Sequence, residues 1–227
     1  MTRRLTGVEG PHAEATLVTG GAPAAAADVA GVLVHGRGGT PEGLLRLADG
    51  FYQPGATMLA PGAVRSSWFP GSYDATRDAI EPALTSAVDC VAATVGVAGK
   101  IGIEPHETIL VGVSQGGTVV SELLRRHPQR YGAAFVVSAA LPSVAVDGQL
   151  TADGRQTDAG SLDGTPVTLV SSDGDPHVSV SRVRATGERL RRLGAAVDVQ
   201  IDDGDGHGLS DATMVEIAER IGSIVSA

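Results

Sequence analysis

Cysteine is almost absent from this sequence of 227 residues, because Cys90 is the only one. A single cysteine excludes an internal disulfide and any multi-cysteine metal site. Cys90 lies in an Ala/Val-rich stretch with helical spacing, where a free thiol usually behaves as a small hydrophobic side chain. We therefore predict that this thiol is buried and inert.

Aromatic residues are also scarce, at 3% of the chain, although 42% of all residues are hydrophobic. The core must then be built from Ala, Val, Leu and Ile, which suit packed helices and buried strands. A chain of this length can bury such a core in one α/β domain. Since composition does not change along the chain and no repeat is found, we predict a single domain over residues 1–227.

Positive charge is limited, since Lys100 is the only lysine and the formal net charge is −9. No cluster of basic residues is present, which argues against a nucleic-acid partner.

Long apolar runs are missing too, and no stretch reaches the ~18 uninterrupted apolar residues of a membrane span. Arg3-Arg4 resembles a twin-arginine export signal, but no apolar run follows it. We expect a soluble, cytoplasmic protein without a metal or other cofactor; whether it forms a homodimer stays open.

What the sequence does contain is an alternation of short apolar runs with longer segments of helical spacing. The short runs are apolar throughout, which is typical of strands buried on both faces of a parallel sheet. The predicted strands are residues 30–35, 57–60, 108–113, 133–139, 166–171 and 196–201. The predicted helices follow Thr40-Pro41 and span residues 78–98, 115–127, 179–193 and 210–225. Pro82 fits the second helix only within its first turn. The pattern predicts an α/β fold with a mostly parallel central sheet covered by helices on both faces.

The strongest local motif is the run GVSQGG from Gly112 to Gly117, which matches G-x-S-x-G between a predicted strand and a predicted helix. In such a tight turn the two backbones nearly touch, so flanking glycines avoid a Cβ clash. The turn exposes the serine hydroxyl above the helix N-terminus, whose partial positive charge favours an oxyanion. A chance match and a phosphate-binding turn are the alternatives, but a Walker lysine and the G-x-G-x-x-G spacing are absent. We predict Ser114 as a nucleophile.

A serine nucleophile needs a base, and on strand–turn–helix scaffolds of this kind the acid and then the histidine follow it along the chain. Of the six histidines, only His177 and His207 come after a plausible acid. His207 lies in a Gly/Asp-rich loop between the last predicted strand and the last predicted helix. A solvated loop histidine and a weak metal site with the neighbouring aspartates are alternatives, but neither explains Ser114. We predict His207 as the base.

The acid should follow the predicted strand 166–171, where Asp173 and Asp175 both stand. One of them would accept the Nδ1 proton of the histidine, while the other would be a turn residue, as aspartate commonly is. Spacing alone does not separate the two.

Together these motifs resemble the phospholipase/carboxylesterase family, small cap-less α/β-hydrolases that include acyl-protein thioesterases. The resemblance covers residues 32–227 and rests on His35–Gly39 (HGRGG), Gly112–Gly117 (GVSQGG), Asp173–Val178 (DGDPHV) and Gly206-His207. It implies an α/β-hydrolase fold and places the acid at Asp175. It also implies an oxyanion hole formed by the backbone N–H groups of Arg37 and Gln115.

Two departures from the family pattern concern the substrate. Ser179 stands where the family usually has proline, and the sequence after the Trp68-Phe69 pair differs. We expect Trp68 and Phe69 to line an acyl or aryl pocket, the alternative being that they cover the sheet edge. The Arg37 side chain is expected in solvent, with anion binding as its alternative.

The polar segment 141–163 is longer than most loops in a compact domain. It forms either a mobile rim of the site or a small element that the pattern does not reveal. Because it contains no substantial apolar helix, we predict an open site without a cap domain.

The sequence thus predicts a serine hydrolase that cleaves small-molecule carboxylic esters or thioesters through an acyl-enzyme. One alternative is a dienelactone-hydrolase-like lactonase, although such enzymes generally have cysteine at the position of Ser114. The other is a non-catalytic binding protein with the same fold.

Overall fold

The computed structural model describes residues 2–71, 76–142 and 161–226, so most of the predicted rim segment lies outside the described residues. The described residues form one eight-stranded sheet. Its strands are β1 (Thr2–Arg4), β2 (Thr16–Gly21), β3 (Val29–Val34), β4 (Ala56–Gly62), β5 (Thr108–Val113), β6 (Ala133–Val137), β7 (Pro166–Ser172) and β8 (Ala196–Asp202). Their spatial order is β1-β2-β4-β3-β5-β6-β7-β8.

Strands β3 to β8 are mutually parallel, whereas β1 and β2 add an antiparallel edge. The six predicted strands are confirmed as β3 to β8, each shifted by no more than two residues at either end. Strands β1 and β2 were not predicted, because β1 is three exposed residues long and β2 ends in two glycines. Neither shows the apolar run of a buried strand.

The described residues contain α1 (Pro41–Ala48), α2 (Arg77–Lys100), α3 (Gln115–Arg126), α4 (Val180–Arg191) and α5 (Asp211–Val225). All five predicted helices are therefore confirmed. The Thr40 side chain caps α1 by accepting a 3.0 Å hydrogen bond from the Gly43 N–H. The limit placed on Pro82 is wrong, because Pro82 is the sixth residue of α2. Pro82 lies on the exposed side of α2, where water can bind the carbonyl that it leaves without a donor.

Two apolar layers enclose the sheet. Helices α2, α3 and α4 pack on one face, with Leu84 and Leu123 among the buried side chains. Helices α1 and α5 pack on the other, where Leu44 and Ile217 are buried. Each described helix packs against strands of the sheet, and within the described residues none forms a separate cap. The chain has the predicted α/β-hydrolase architecture.

Cys90 is buried in α2, as predicted, with 0% of its surface exposed. Burial, together with the charge of Asp89, raises the pKa of its thiol to about 12. The thiol therefore stays protonated at neutral pH, which fits the predicted inert role.

Helix α2 is also long and apolar enough to pass a length-and-hydropathy test for a membrane span, over Asp78–Lys100. Its residues Ile80, Leu84, Val88 and Val91 are almost completely buried in the core. The core helix of a soluble protein meets the same test, so this one helix is only weak evidence for a membrane span.

Candidate active site

Backbone strain in the described residues is concentrated at the carboxyl edge of the parallel strands. Four non-glycine residues have positive φ angles: Arg65 (58°), Ser66 (55°), Ser114 (53°) and Ser138 (50°). They follow the ends of β4, β5 and β6. Such conformations cost about 1–3 kcal/mol each and tend to cluster at functional sites. The strain therefore marks this edge as the candidate site.

Ser114 occupies the turn between β5 and α3, with φ 53° and ψ −123°. A Cβ on Gly116 would lie 2.0 Å from the Val34 carbonyl oxygen, and one on Gly112 would lie 2.6 Å from the Gly116 carbonyl oxygen. Only glycine fits at these two positions without a backbone shift. The predicted reason for the glycine spacing is confirmed.

Ser114, His207 and one aspartate form a continuous hydrogen-bonded chain. The Nε2 atom of His207 lies 2.9 Å from the Ser114 Oγ, and its Nδ1 atom lies 2.8 Å from the Asp175 Oδ2. The imidazole is 22% exposed, whereas the Asp175 carboxylate has no exposed surface. With a proton on Nδ1 shared with the carboxylate, Nε2 is free to accept the serine proton.

The two candidate acids occupy different positions. The other oxygen of Asp175, Oδ1, accepts hydrogen bonds from the N–H groups of His177 (2.8 Å) and Val178 (3.2 Å). Asp173 is exposed, and its Oδ1 accepts a 2.9 Å bond from the Gly204 N–H instead. The structure thus places Asp175 in contact with His207. Asp173 instead connects the loop after β7 to the loop after β8 through its bond to Gly204.

The two amides predicted to form an oxyanion hole belong to Gln115, the residue after Ser114, and to Arg37, in the loop after β3. The loop after β3 approaches closely, because a Cβ on Gly36 would lie 3.2 Å from the Ser114 Cβ. The Arg37 N–H donates to no acceptor among the described residues. Gln115 is the first residue of α3, so its N–H has no acceptor within the helix. Among the described residues, both predicted donors thus lack an acceptor.

The side chain of Arg37 differs only in part from its prediction. The residue is exposed, as expected, but its guanidinium also donates to the carbonyl oxygens of Phe69 and Gly71. These hydrogen bonds connect the segment after β4 to the loop after β3, which contains Arg37.

Trp68 and Phe69 also differ from their prediction as pocket walls. Trp68 is 0% exposed and Phe69 3% exposed, so neither offers a surface to a substrate in this structure. The Trp68 Nε1–H donates to the His35 carbonyl oxygen at 2.7 Å. The Gln115 side chain accepts from the Trp68 N–H at 3.0 Å and donates to the Phe69 carbonyl oxygen at 2.8 Å. The pair is a buried anchor that ties its own segment to the start of α3.

Two buried histidines complete this anchor. His12 was not singled out from the sequence, and His35 was noted only as part of the HGRGG motif. The Nε2–H of His12 donates to the Trp68 carbonyl oxygen at 2.8 Å, while its Nδ1 accepts from the Val64 N–H at 3.2 Å. The Nδ1–H of His35 donates to its neighbouring carbonyl, while its Nε2 accepts from the Ala63 N–H at 3.1 Å. Because each ring accepts from a backbone N–H, each must be neutral. No sequence signal was available, since the partner of His12 lies 52 residues away.

The neutral histidines predict a loss of stability in mild acid. Burial lowers the pKa of both His12 and His35 below 6.5, the usual histidine value, and outweighs the opposing hydrogen bonds to Trp68 and Gly36. As the pH falls below 6.5, the unfolded chain therefore binds protons at these histidines that the folded chain does not bind. The free energy of unfolding is then highest above pH 6.5 and decreases as the pH falls. We expect up to about 1.4 kcal/mol of loss per pH unit for each histidine in denaturant unfolding between pH 7.5 and 5.5.

Matched variants identify which residues cause the dependence of the unfolding free energy on pH. His12→Gln and His35→Gln should each flatten the dependence of the unfolding free energy on pH. His106→Gln, a change at an exposed residue, should leave the dependence as it is in the wild type. Equal slopes in all four proteins would contradict the assignment.

The remaining histidine of interest is His177, whose ring packs edge-on against that of His207 with 4.7 Å between the centroids. It lies beside the hydrogen-bonded chain but does not replace His207 in it. Among the described residues, no group of three or more His, Cys, Asp and Glu side chains is arranged to hold a metal ion.

Comparison with known proteins supports the family resemblance that the sequence motifs indicated. The sequence profile of the phospholipase/carboxylesterase family matches residues 22–224. The crystal structure of a phospholipase/carboxylesterase from Dyadobacter fermentans is 31% identical, with a TM-score of 0.80 over 90% of this chain and 95% of that one. Comparison with functionally curated protein sequences gave no match.

More distant structures share the fold. A carboxylesterase from Mesorhizobium loti is 22% identical, with a TM-score of 0.71 over 97% of this chain and 98% of that one. A carboxylesterase from Bacillus cereus is 20% identical, with a TM-score of 0.67 over 92% and 93%. On the family match and the Dyadobacter structure, this chain belongs to the phospholipase/carboxylesterase family of α/β-hydrolases.

Proposed function

We propose that this protein is a serine hydrolase that cleaves carboxylic esters or thioesters through an acyl-enzyme intermediate. The observation that carries the proposal is the unbroken chain from the Ser114 hydroxyl through His207 to Asp175, with contacts of 2.9 and 2.8 Å. The names of its relatives as carboxylesterases point to the same class of substrate.

In the first half-reaction, His207 Nε2 takes the proton of Ser114 as the Oγ attacks the carbonyl carbon. The negative charge that develops on the carbonyl oxygen is bound by the backbone N–H groups of Arg37 and Gln115, and one such donor is worth roughly 3 kcal/mol. His207 then gives its proton to the departing alcohol or thiol, leaving the acyl group on Ser114. Asp175 holds the imidazole in the required tautomer throughout.

In the second half-reaction, His207 removes a proton from water, which attacks the acyl carbon. The tetrahedral intermediate collapses, the carboxylic acid leaves, and the proton on His207 returns to the Ser114 Oγ. No cofactor takes part in this scheme, since each proton is carried by one imidazole.

Hydrolysis of p-nitrophenyl esters tests the proposal. We expect turnover of acetyl, butyryl and longer acyl esters at rates that identify the preferred chain length, together with turnover of a matching butyryl thioester. Activity confined to short acyl chains would argue against a lysophospholipid substrate. A folded wild-type protein that hydrolyses none of these compounds would contradict the proposal and favour a binding role.

A further inference from the structure

His207 lies in a glycine-rich loop, in which Leu209 is partly buried and packs against the core. The His loop, residues 203–210, connects β8 to α5 and contains Gly204, Gly206 and Gly208. A Cβ on any of these three glycines would meet no atom within 4 Å, and two of them have positive φ angles, 114° for Gly204 and 150° for Gly208. Glycine-rich segments lose much conformational freedom when they are ordered. Hydrogen bonds must therefore supply much of the order that the imidazole needs.

Serine hydroxyls from two neighbouring strands hold the residues on either side of His207. Ser138, at the end of β6, accepts a 3.0 Å hydrogen bond at its Oγ from the Gly208 N–H. Ser172, the last residue of β7, donates its hydroxyl to the Gly206 carbonyl oxygen at 2.5 Å. Both serines are buried, with 2% and 4% exposure. The peptide groups before and after the imidazole are thus fixed from the rigid sheet.

The backbone conformation of Ser138 indicates that its hydroxyl group has a function. Its φ of 50° lies in the left-handed region, which glycine adopts without strain. Its N–H still bonds to the Val170 carbonyl oxygen at 2.7 Å, so glycine would preserve that contact. Glycine would lack only the hydroxyl that accepts the hydrogen bond from the Gly208 N–H. Strain retained at a buried residue beside a reactive centre is a pointer to function.

We propose that Ser138 and Ser172 are positioning residues that hold His207 within reach of Ser114 from both sides. This inference rests on the proposed serine-hydrolase function and deepens it. Neither hydroxyl contacts the reacting atoms; each acts through the backbone next to the imidazole. Loss of either bond lets the imidazole move relative to the Ser114 hydroxyl, and small displacements of a catalytic group are costly to the rate.

Kinetics of Ser138→Ala, Ser172→Ala and the double variant test the proposal on a p-nitrophenyl ester. Each single change should lower kcat about 10-fold with KM within about twofold, and the double variant should lose about 100-fold or more. Ser138→Gly should lose kcat to the same extent while its melting temperature is no lower than that of Ser138→Ala, because glycine relieves the strain.

Ser171→Ala is the matched control. Ser171 is the neighbour of Ser172 on β7 and is equally buried at 3% exposure, but its hydroxyl contacts no partner among the described residues. It should keep the wild-type kcat. Wild-type kcat in the Ser138 and Ser172 variants, or kcat losses that merely follow the melting temperature, would overturn the assignment. Such a failure is separate from failure of the proposed function, which an inactive wild type or an active Ser114→Ala would show in the same assay.

Discussion

Replacing Ser114 with alanine is expected to abolish ester hydrolysis, lowering kcat by about 10⁶-fold. The figure follows from serine hydrolases in which loss of the nucleophile costs as much as loss of the whole triad. The physical reason is that His207 Nε2, 2.9 Å from the Ser114 Oγ, then has no hydroxyl to deprotonate. Steady-state rates on an activated ester, with and without enzyme, measure the loss.

Two controls separate lost chemistry from lost structure. Ser114→Gly removes the same hydroxyl but adopts the φ of 53° without strain, so it should be inactive and at least as stable as Ser114→Ala. Ser223→Ala changes an exposed hydroxyl whose one partner in the described part of the chain is the Arg220 carbonyl oxygen, and it should keep full activity. Retention of substantial activity in both Ser114 variants would contradict the nucleophile assignment.

Replacing Asp175 with asparagine should lower kcat by about 10⁴-fold, the loss expected when the histidine is held in the wrong tautomer. Asparagine can still accept at Oδ1 from the N–H groups of His177 and Val178. At the other position its NH₂ group would face Nδ1 of His207, which must then accept rather than donate. The proton moves to Nε2, where it prevents deprotonation of Ser114.

Asp173→Asn is the matched control, because Asp173 lies two residues away and carries the same functional group. Among the described residues its Oδ1 contacts only the Gly204 N–H, at 2.9 Å, and an asparagine oxygen can accept that bond equally well. We expect kcat to fall less than about 10-fold, the scale of one modest hydrogen bond. Measuring both variants on one ester decides between the carboxylates. A larger loss at Asp173 than at Asp175 would reverse the assignment.

The sequence predicted the parallel part of the sheet because strands buried on both faces need uninterrupted apolar runs, as in residues 108–113. The glycine spacing around Ser114 was equally predictive, because a Cβ at Gly116 would lie 2.0 Å from the Val34 carbonyl oxygen. Both features are local consequences of backbone geometry. They can therefore be read without knowing the rest of the fold.

Features that depend on distant contacts were not predictable in this way. Trp68 lies in a Pro/Gly/Ser-rich segment and was expected at a pocket surface. Its burial depends on the His35 carbonyl oxygen and the Gln115 side chain, 33 and 47 residues away along the chain. The choice between Asp173 and Asp175 likewise depends on the course of the chain after β7. The family resemblance favoured Asp175, but spacing alone could not.

The central claim is that Ser114 is the nucleophile, and covalent labelling tests it most directly. A fluorophosphonate probe reacts with a serine hydroxyl that a neighbouring base activates. After labelling and proteolysis, mass spectrometry should find one adduct per chain, on Ser114, and none in Ser114→Ala. An adduct on another residue, or a folded wild-type protein that remains unlabelled, would contradict the claim.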